Sequence, residues 1–254
     1  MNNKTILITG GTGKIGFKLV NHFVSKGYKV VFISRYQSNI DSLIGKIADG
    51  FKDNLFGIPI NLEEKDSSKK IIDILEHKNI YINILINNAR NIEYLKISDE
   101  LRTDREAWAG EFLLDVIVPY ELSIDLANQV NSELSNIINI SSMYGVVAAN
   151  PNLYNDSLKE SPINYSVAKA ALIHLTRELS IRFAGKAIRV NSISFGGVEG
   201  RVSEEFKWKY GKLCPMGRML KEDEVIGSVD FLVSDNSIGM IGHNLVVDGG
   251  WTIW

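Results

Sequence analysis

Apolar runs of strand length alternate along the chain with longer stretches whose apolar positions recur at helical spacing. The strand-like runs fall at 4–9, 28–34, 55–60, 82–87, 136–141, 187–193 and Asn244–Val247. Between them, the stretches 66–78, 112–129, 163–184 and 222–234 carry the periodicity of helices with one buried face. The first strand-like run leads through a glycine-rich turn into a further amphipathic segment reaching about Lys26. This alternation predicts an α/β fold, a doubly wound parallel sheet of about seven strands with helices on both faces. The crevice of such a sheet opens at the carboxyl ends of its strands, and Thr9, Asn87 and Ser142 fall at or beside such ends. No internal repeat, low-complexity tract or linker breaks the pattern, so residues 1–254 are expected to form a single domain.

Candidate chemistry sits on this frame. Tyr165 and Lys169 are four residues apart in the 163–184 stretch, which puts a phenol and an ammonium on one helix face, one turn apart. The cation favours the phenolate, so the pair makes an acid/base, and the lysine keeps donors for a ribose hydroxyl. Taken alone, such a pair equally describes a surface contact. Gly10, Thr12, Gly13, Lys14, Ile15 and Gly16 form the first strand-to-helix turn. Glycine there lets backbone N–H groups approach a pyrophosphate, and the helix N-terminus adds partial positive charge. Its place in the first strand–helix unit favours Rossmann-type dinucleotide binding over a turn that needs glycine for geometry alone.

The second strand speaks to which dinucleotide is bound. An acid at its end would hydrogen-bond an adenosine 2′-hydroxyl and repel a 2′-phosphate, whereas this chain has Ser34 and Arg35. The hydroxyl and guanidinium suit phosphate, and Lys14 offers a second cation, so NADP(H) is favoured and NAD(H) stays open. The plainer alternative is that Arg35 begins a solvated loop.

Composition narrows the class. With 254 residues, 45% of them hydrophobic, the chain can bury one large core. A net charge of −2, with Lys and Arg scattered, gives no field for nucleic acid. The single Cys214 excludes an internal disulfide, and no apolar run reaches the length of a membrane span. Met1-Asn2-Asn3-Lys4 leads into the first strand without a signal-peptide pattern, so a cytoplasmic protein without a membrane partner is expected. His22, His77, His174 and His243 lack ligand spacing and predict no metal.

Read in order, the motifs resemble the short-chain dehydrogenase/reductase family from residue 4 to residue 250. Thr9-Gly10 through Gly16 looks like its cofactor loop, Asn87-Asn88-Ala89 like its fourth-strand motif, and Ser141-Ser142 like the end of its fifth strand. Tyr165 and Lys169 look like its active-site pair, Arg189-Val190-Asn191-Ser192-Ile193 like its sixth strand, and Val247-Asp248-Gly249-Gly250 like its C-terminal signature. The resemblance implies hydride transfer between a nicotinamide and a carbon bearing a hydroxyl or carbonyl, on a small-molecule substrate. Tyr165 would exchange the proton, Lys169 would support it and hold the nicotinamide ribose, and Ser142 would hydrogen-bond the substrate oxygen. By the same resemblance Asn61 with Leu62 and Asn88 with Ala89 flank the adenine side, and Gly196 and Val198 the nicotinamide amide. Asn61 equally reads as a cap for the helix that follows.

Departures from the family pattern shape further expectations. Asp115, seven positions after Trp108, stands where the family has an Asn that supports a helix kink and a water leading from the lysine. A carboxylate still accepts from water and attracts Lys169, but it does not donate. Lys14 replaces a glycine, so either its side chain turns away from the pyrophosphate or Gly13 takes over the close approach. Phe195 replaces a proline, which predicts a loosened backbone before Gly196-Gly197-Val198. Residues 143–164 make a longer connection than the family usually has, rich in turn formers from Asn150 to Asp156. Overhanging the site, its amides and phenols suit a polyhydroxylated substrate such as a sugar derivative; a surface loop or subunit contact is equally open. With the aromatic C-terminus, this stretch resembles a bacterial subgroup associated with surface-carbohydrate or flagellin modification. The 198–219 stretch is expected to be a mobile loop, with Phe206, Trp208, Tyr210, Leu213 and Met216 either closing over substrate or packing. The runs 101–129 and 163–184 resemble the family's dimer face and imply a homotetramer or homodimer. The rival function is a non-catalytic dinucleotide-binding protein, with a sugar epimerase third; the intact Ser142, Tyr165 and Lys169 favour the oxidoreductase.

Overall fold

All four residues of the first strand, β1 (Thr5–Ile8), are buried, as a strand covered on both faces requires. The computed structural model describes residues 4–200 and 202–254; the expected leaderless start Met1-Asn2-Asn3, and Arg201 of the 198–219 stretch, lie outside them. Six further strands follow: β2 (Lys29–Ser34), β3 (Leu55–Pro59), β4 (Ile84–Asn87), β5 (Asn136–Ser142), β6 (Arg189–Phe195) and β7 (Asn244–Val247). They form one parallel sheet in the order β3-β2-β1-β4-β5-β6-β7, so the expected doubly wound architecture is present. The order turns back between β1 and β4, which opens the crevice at the carboxyl ends of those two strands.

The helices are α1 (Lys14–Ser25), α2 (Gln37–Lys46), α3 (Ser67–His77), α4 (Arg105–Phe112), α5 (Val118–Asn128), α6 (Ser157–Glu160), α7 (Ile163–Arg182), α8 (Glu204–Leu213) and α9 (Ile226–Val233). Strand alternation divides the core between the two faces. Ile6, Ile8 and Phe32 pack with Phe23 of α1 and Val229 of α9, while Leu7, Val31 and Ile33 pack with Ile71 of α3, Leu122 of α5 and Leu179 of α7. No helix among the described residues is long and apolar enough to cross a membrane.

The stretch read as one helix over 112–129 is interrupted by a π-helical turn, Leu113–Ile117, between α4 and α5. Pro119 supplies the reason: it has no N–H for the carbonyl of Asp115, and the N–H of Val118 reaches back to the carbonyl of Leu113. The widened turn carries Asp115 inward, and the residue is buried.

Two expectations for the region after β6 are corrected. Phe195 does not loosen the backbone; it ends β6, pairs with Ser142 on one side and Val247 on the other, and is buried in the core. The stretch expected as a mobile loop contains α8, which begins where Ser203 Oγ accepts the N–H of Phe206 at 3.2 Å, with Glu204 and Glu205 in the first turn. Its Tyr210 is buried, stacks on Trp251 with ring centroids 4.4 Å apart, and accepts the N–H of Gly197 at 2.9 Å. Trp251 is held in turn because Asp248 accepts the N–H groups of Gly250 and Thr252, each at 2.8 Å. The C-terminal signature thereby fixes the strand end at Gly196-Gly197. Tyr210→Phe keeps the stack but leaves that N–H without its partner, and thermal denaturation is expected to register a loss of about 1 kcal/mol. An unchanged midpoint would show that solvent replaces the phenol.

Candidate functional site

A cavity of about 890 Å³ runs along the carboxyl ends of the strands, from the β2–β3 side across β1, β4 and β5 to β6. Every expected site residue except Asp115 lines it. Gly10, Thr12, Gly13, Lys14, Ile15 and Gly16 come from the turn into α1, Ser34 and Arg35 from the end of β2, and Asn61 and Leu62 from the end of β3. Asn88 and Ala89 follow β4, Ser142 ends β5, Tyr165 and Lys169 belong to α7, and Gly196 and Val198 follow β6.

The glycine turn is compact for reasons of space. Gly10 has φ +64°, and a Cβ there would lie 2.8 Å from the Ala89 Cα; a Cβ on Gly16 would lie 2.2 Å from the Gly10 carbonyl oxygen. Thr9 Oγ1 accepts the N–H groups of Asn88 and Ala89 at 2.9 and 3.0 Å, and the Asn88 amide donates to the carbonyl of Thr9 at 3.0 Å. Asn88 thus ties β4 to the turn with its side chain. No side chain caps α1, since Gly13 stands at its N-cap, so the first-turn N–H groups are left for an anion at the cavity wall. An uncapped helix end behind a glycine turn fits the pyrophosphate of a dinucleotide.

At the β2 end, Ser34 Oγ hydrogen-bonds Thr12 Oγ1 at 2.8 Å and Arg35 Nη2 donates to Glu63 Oε1 at 3.2 Å. Glu63 also accepts from the amide of Asn91 at 3.1 Å and from the phenol of Tyr94 at 2.7 Å. Burial, followed by that carboxylate, holds the Tyr94 phenol above its ordinary range. Lys14 is not the second cation expected beside Arg35. Its ammonium donates to the Val198 carbonyl at 3.3 Å and lies 3.5 Å from Glu222, turned towards the β6 side by that carboxylate. Asn61 accepts the N–H of Glu63 at 3.2 Å, so its side chain serves the turn after β3.

At the other end stand Ser142, Tyr165 and Lys169. Lys169 is buried; its ammonium donates to Asp115 Oδ1 at 2.8 Å and to the carbonyl of Ile140 at 3.0 Å, and lies 5.7 Å from the centre of the Tyr165 ring. Two of its three N–H bonds are used, which leaves one for the cavity. Ser142 Oγ accepts the N–H of Tyr144 at 3.2 Å and keeps its own proton to donate. Over this end the long 143–164 connection contributes Tyr144 and Tyr154, whose phenol oxygens are 2.6 Å apart. Burial pushes both phenols above their ordinary range, so they stay protonated at neutral pH.

Two residues near this end were not anticipated. Arg90 directly follows the Asn88-Ala89 motif, lines the cavity, and places its guanidinium carbon 4.5 Å from the centre of the Tyr165 ring. Glu111 lies one helical turn before Asp115 and is buried beside it; neither Glu111 oxygen receives a hydrogen bond, and neither does Asp115 Oδ2. Burial first, then the neighbouring carboxylate of Asp115, raise the Glu111 pKa to about 7, against the opposing charges of Arg90 and Lys169. The spacing of four residues was a usable signal for Glu111, and adjacency to a motif for Arg90. Among the described residues no group of three His, Cys, Asp or Glu side chains gathers as a metal would need.

Comparison with known proteins agrees with this geometry. A family model described as enoyl-(acyl carrier protein) reductase matches residues 12–252. The post-translational flagellin modification protein A of Campylobacter coli is 28% identical over 259 residues, covering 99% of each chain. A short-chain dehydrogenase from Leptospira borgpetersenii serovar Hardjo-bovis with bound NAD+ is 31% identical, with a TM-score of 0.85 over 98% of this chain and 93% of that one. The structure of 4-hydroxyisoleucine dehydrogenase complexed with NADH is 25% identical, with a TM-score of 0.85 over 99% of this chain and 100% of that one.

Proposed function

Because the chain belongs to the short-chain dehydrogenase/reductase family and is an oxidoreductase with a nicotinamide dinucleotide as its cofactor, we propose that it interconverts a carbonyl and a secondary alcohol at the Ser142–Tyr165–Lys169 end of the cavity. The observation that carries this reading is one cavity with an uncapped α1 N-terminus near one end and the phenol of Tyr165 at the other. When bound, the nicotinamide supplies or takes the hydride. Tyr165 Oη gives the proton to the substrate oxygen or takes it back. Ser142 Oγ donates a hydrogen bond to that oxygen and sets its direction. Lys169, held by Asp115 and Ile140, favours the phenolate by its charge and keeps one N–H for a ribose hydroxyl.

The proposed cofactor is NADP(H), supported by the absence of an acid at the end of β2 and by Arg35, which lines the cavity there and keeps N–H groups beyond the one given to Glu63. One observation favours NAD(H) instead: Glu63, paired to Arg35, places a carboxylate where a 2′-phosphate would be repelled and a 2′-hydroxyl accepted. Parallel titration with NADPH and NADH, followed by tryptophan quenching, decides between them. For the NADP(H) reading, Arg35→Ala is expected to weaken NADPH by about tenfold, the worth of one charge-assisted contact, and NADH little. Equal loss for both would remove the phosphate role.

The proposed substrate is polyhydroxylated, supported by the protonated phenols of Tyr144 and Tyr154 at the cavity wall and by similarity to a flagellin modification protein. Association into a homodimer or homotetramer belongs to the same reading. Apolar Ile163, Val167 and Ile181 are exposed along α7, and light scattering of the purified chain reads the mass.

A further inference from the structure

The cavity is lined by four cationic side chains, and the structure matches a carboxylate to three of them. Lys14 lies 3.5 Å from Glu222, Arg35 3.2 Å from Glu63, and Lys169 2.8 Å from Asp115. Arg90 is the exception: among the described residues no carboxylate comes within 4.0 Å of it, and its guanidinium makes no hydrogen bond. Its contact is with the face of Tyr165. A contact with a ring face uses none of the guanidinium N–H groups in hydrogen bonds, and their edge is the part that grips carboxylate or phosphate with two parallel hydrogen bonds.

The carboxylates nearby do not supply the missing charge. Glu63 is engaged by Arg35, Asn91 and Tyr94, and Glu160 accepts the N–H of Asp156 at 3.3 Å. Asp115 is committed to Lys169, and Glu111, buried at its side, does not come within 4.0 Å of the guanidinium. Among the described residues, Arg90 is therefore the one cation of the cavity lining with no carboxylate at salt-bridge distance.

On this ground we propose that Arg90 is an anion subsite, so that the substrate carries a carboxylate or a phosphate close to the carbon that is oxidised or reduced. The inference rests on the carbonyl–alcohol reading above for the identity of the reacting carbon. It adds a charge requirement that the hydroxyl-rich wall does not imply. An anion held at the guanidinium edge while its neighbouring carbonyl meets Tyr165 is positioned at two points, which fixes the face presented for reaction.

Matched probes test the idea: acetoacetate against its neutral methyl ester, and dihydroxyacetone phosphate against dihydroxyacetone. Binding is measured by calorimetry with and without NADPH, and KM and kcat follow from NADPH oxidation. In the native protein at least one anion is expected to bind tenfold or more tightly than its neutral partner, and the pair that shows the preference separates carboxylate from phosphate. Arg90→Ala should bring that ratio to about one, acting through KM, and Arg90→Lys should restore part of it. No preference for either anion in the native protein overturns the subsite. So does a proportional loss for charged and neutral probes in Arg90→Ala, which would mean that Arg90 acts only through Tyr165. An Arg90-dependent charge ratio without turnover of any carbonyl would sink the reaction reading alone, whereas turnover without a charge ratio would sink the subsite alone.

Discussion

Replacing Tyr165 by Phe is expected to lower turnover by about 10²- to 10⁴-fold, the usual worth of a positioned acid/base. The change removes one oxygen and little else. The ring still supports Arg90, and Lys169 remains held by Asp115 and by the carbonyl of Ile140, neither of which involves the phenol. Cofactor affinity, measured by tryptophan quenching, should stay within a few-fold of the native value, because the turn into α1 is untouched. Ser142 does not substitute: its hydroxyl accepts the Tyr144 N–H, and no base is bonded to it to take its proton. Undiminished turnover would remove Tyr165 from the chemistry, and an equal collapse of cofactor binding would make it a wall of the site instead of its acid.

How far the site could be read in advance follows from the kind of information each residue carries. β1 and β4 are buried on both faces and appear as short apolar runs, while β5, equally buried, shows isoleucines set among asparagine and serine; their carboxyl ends, with Asn87 and Ser142, were legible together with the crevice they open. Side-chain direction was not. Lys14 was readable as a charge in the glycine turn, but its partner Glu222 and the carbonyl of Val198 come from the far end of the chain, and they decide where it points. Phe195 was judged by the proline it replaces; what governs it is pairing with Ser142 and Val247 on neighbouring strands. Ser203 followed by two glutamates is a helix start, but the contact that holds α8, Tyr210 on Trp251, comes from the opposite end of the sequence, so the 198–219 stretch reads locally as a loop. Counting from Trp108 singles out Asp115, and the structure pairs it with Lys169. The burial of Asp115 goes with the π turn that Pro119 imposes, and Glu111, one turn earlier on α4, is buried beside it.

Glu111→Gln is expected to stabilise the protein by about 3 kcal/mol at pH 8 and to change it little at pH 4 to 5, as the displacement of its pKa from 4.5 to about 7 implies. The sign follows from where the protons are bound. Between those two values the native state holds a proton that the unfolded chain has released, so native stability falls as pH rises through the window, and the full cost is present above pH 7. The cause is burial, with the carboxylate of Asp115 one turn away adding to it and Arg90 and Lys169 opposing it. A glutamine keeps the shape, stays neutral, and can donate to Asp115 at every pH, as the carboxyl does only while it is protonated. Denaturation at pH 5 and pH 8 therefore separates two accounts of the residue. A gain confined to the higher pH identifies Glu111 as an ionisable group held out of water beside Lys169; a loss of similar size at both would mean that the contacts of the buried carboxyl outweigh its charge.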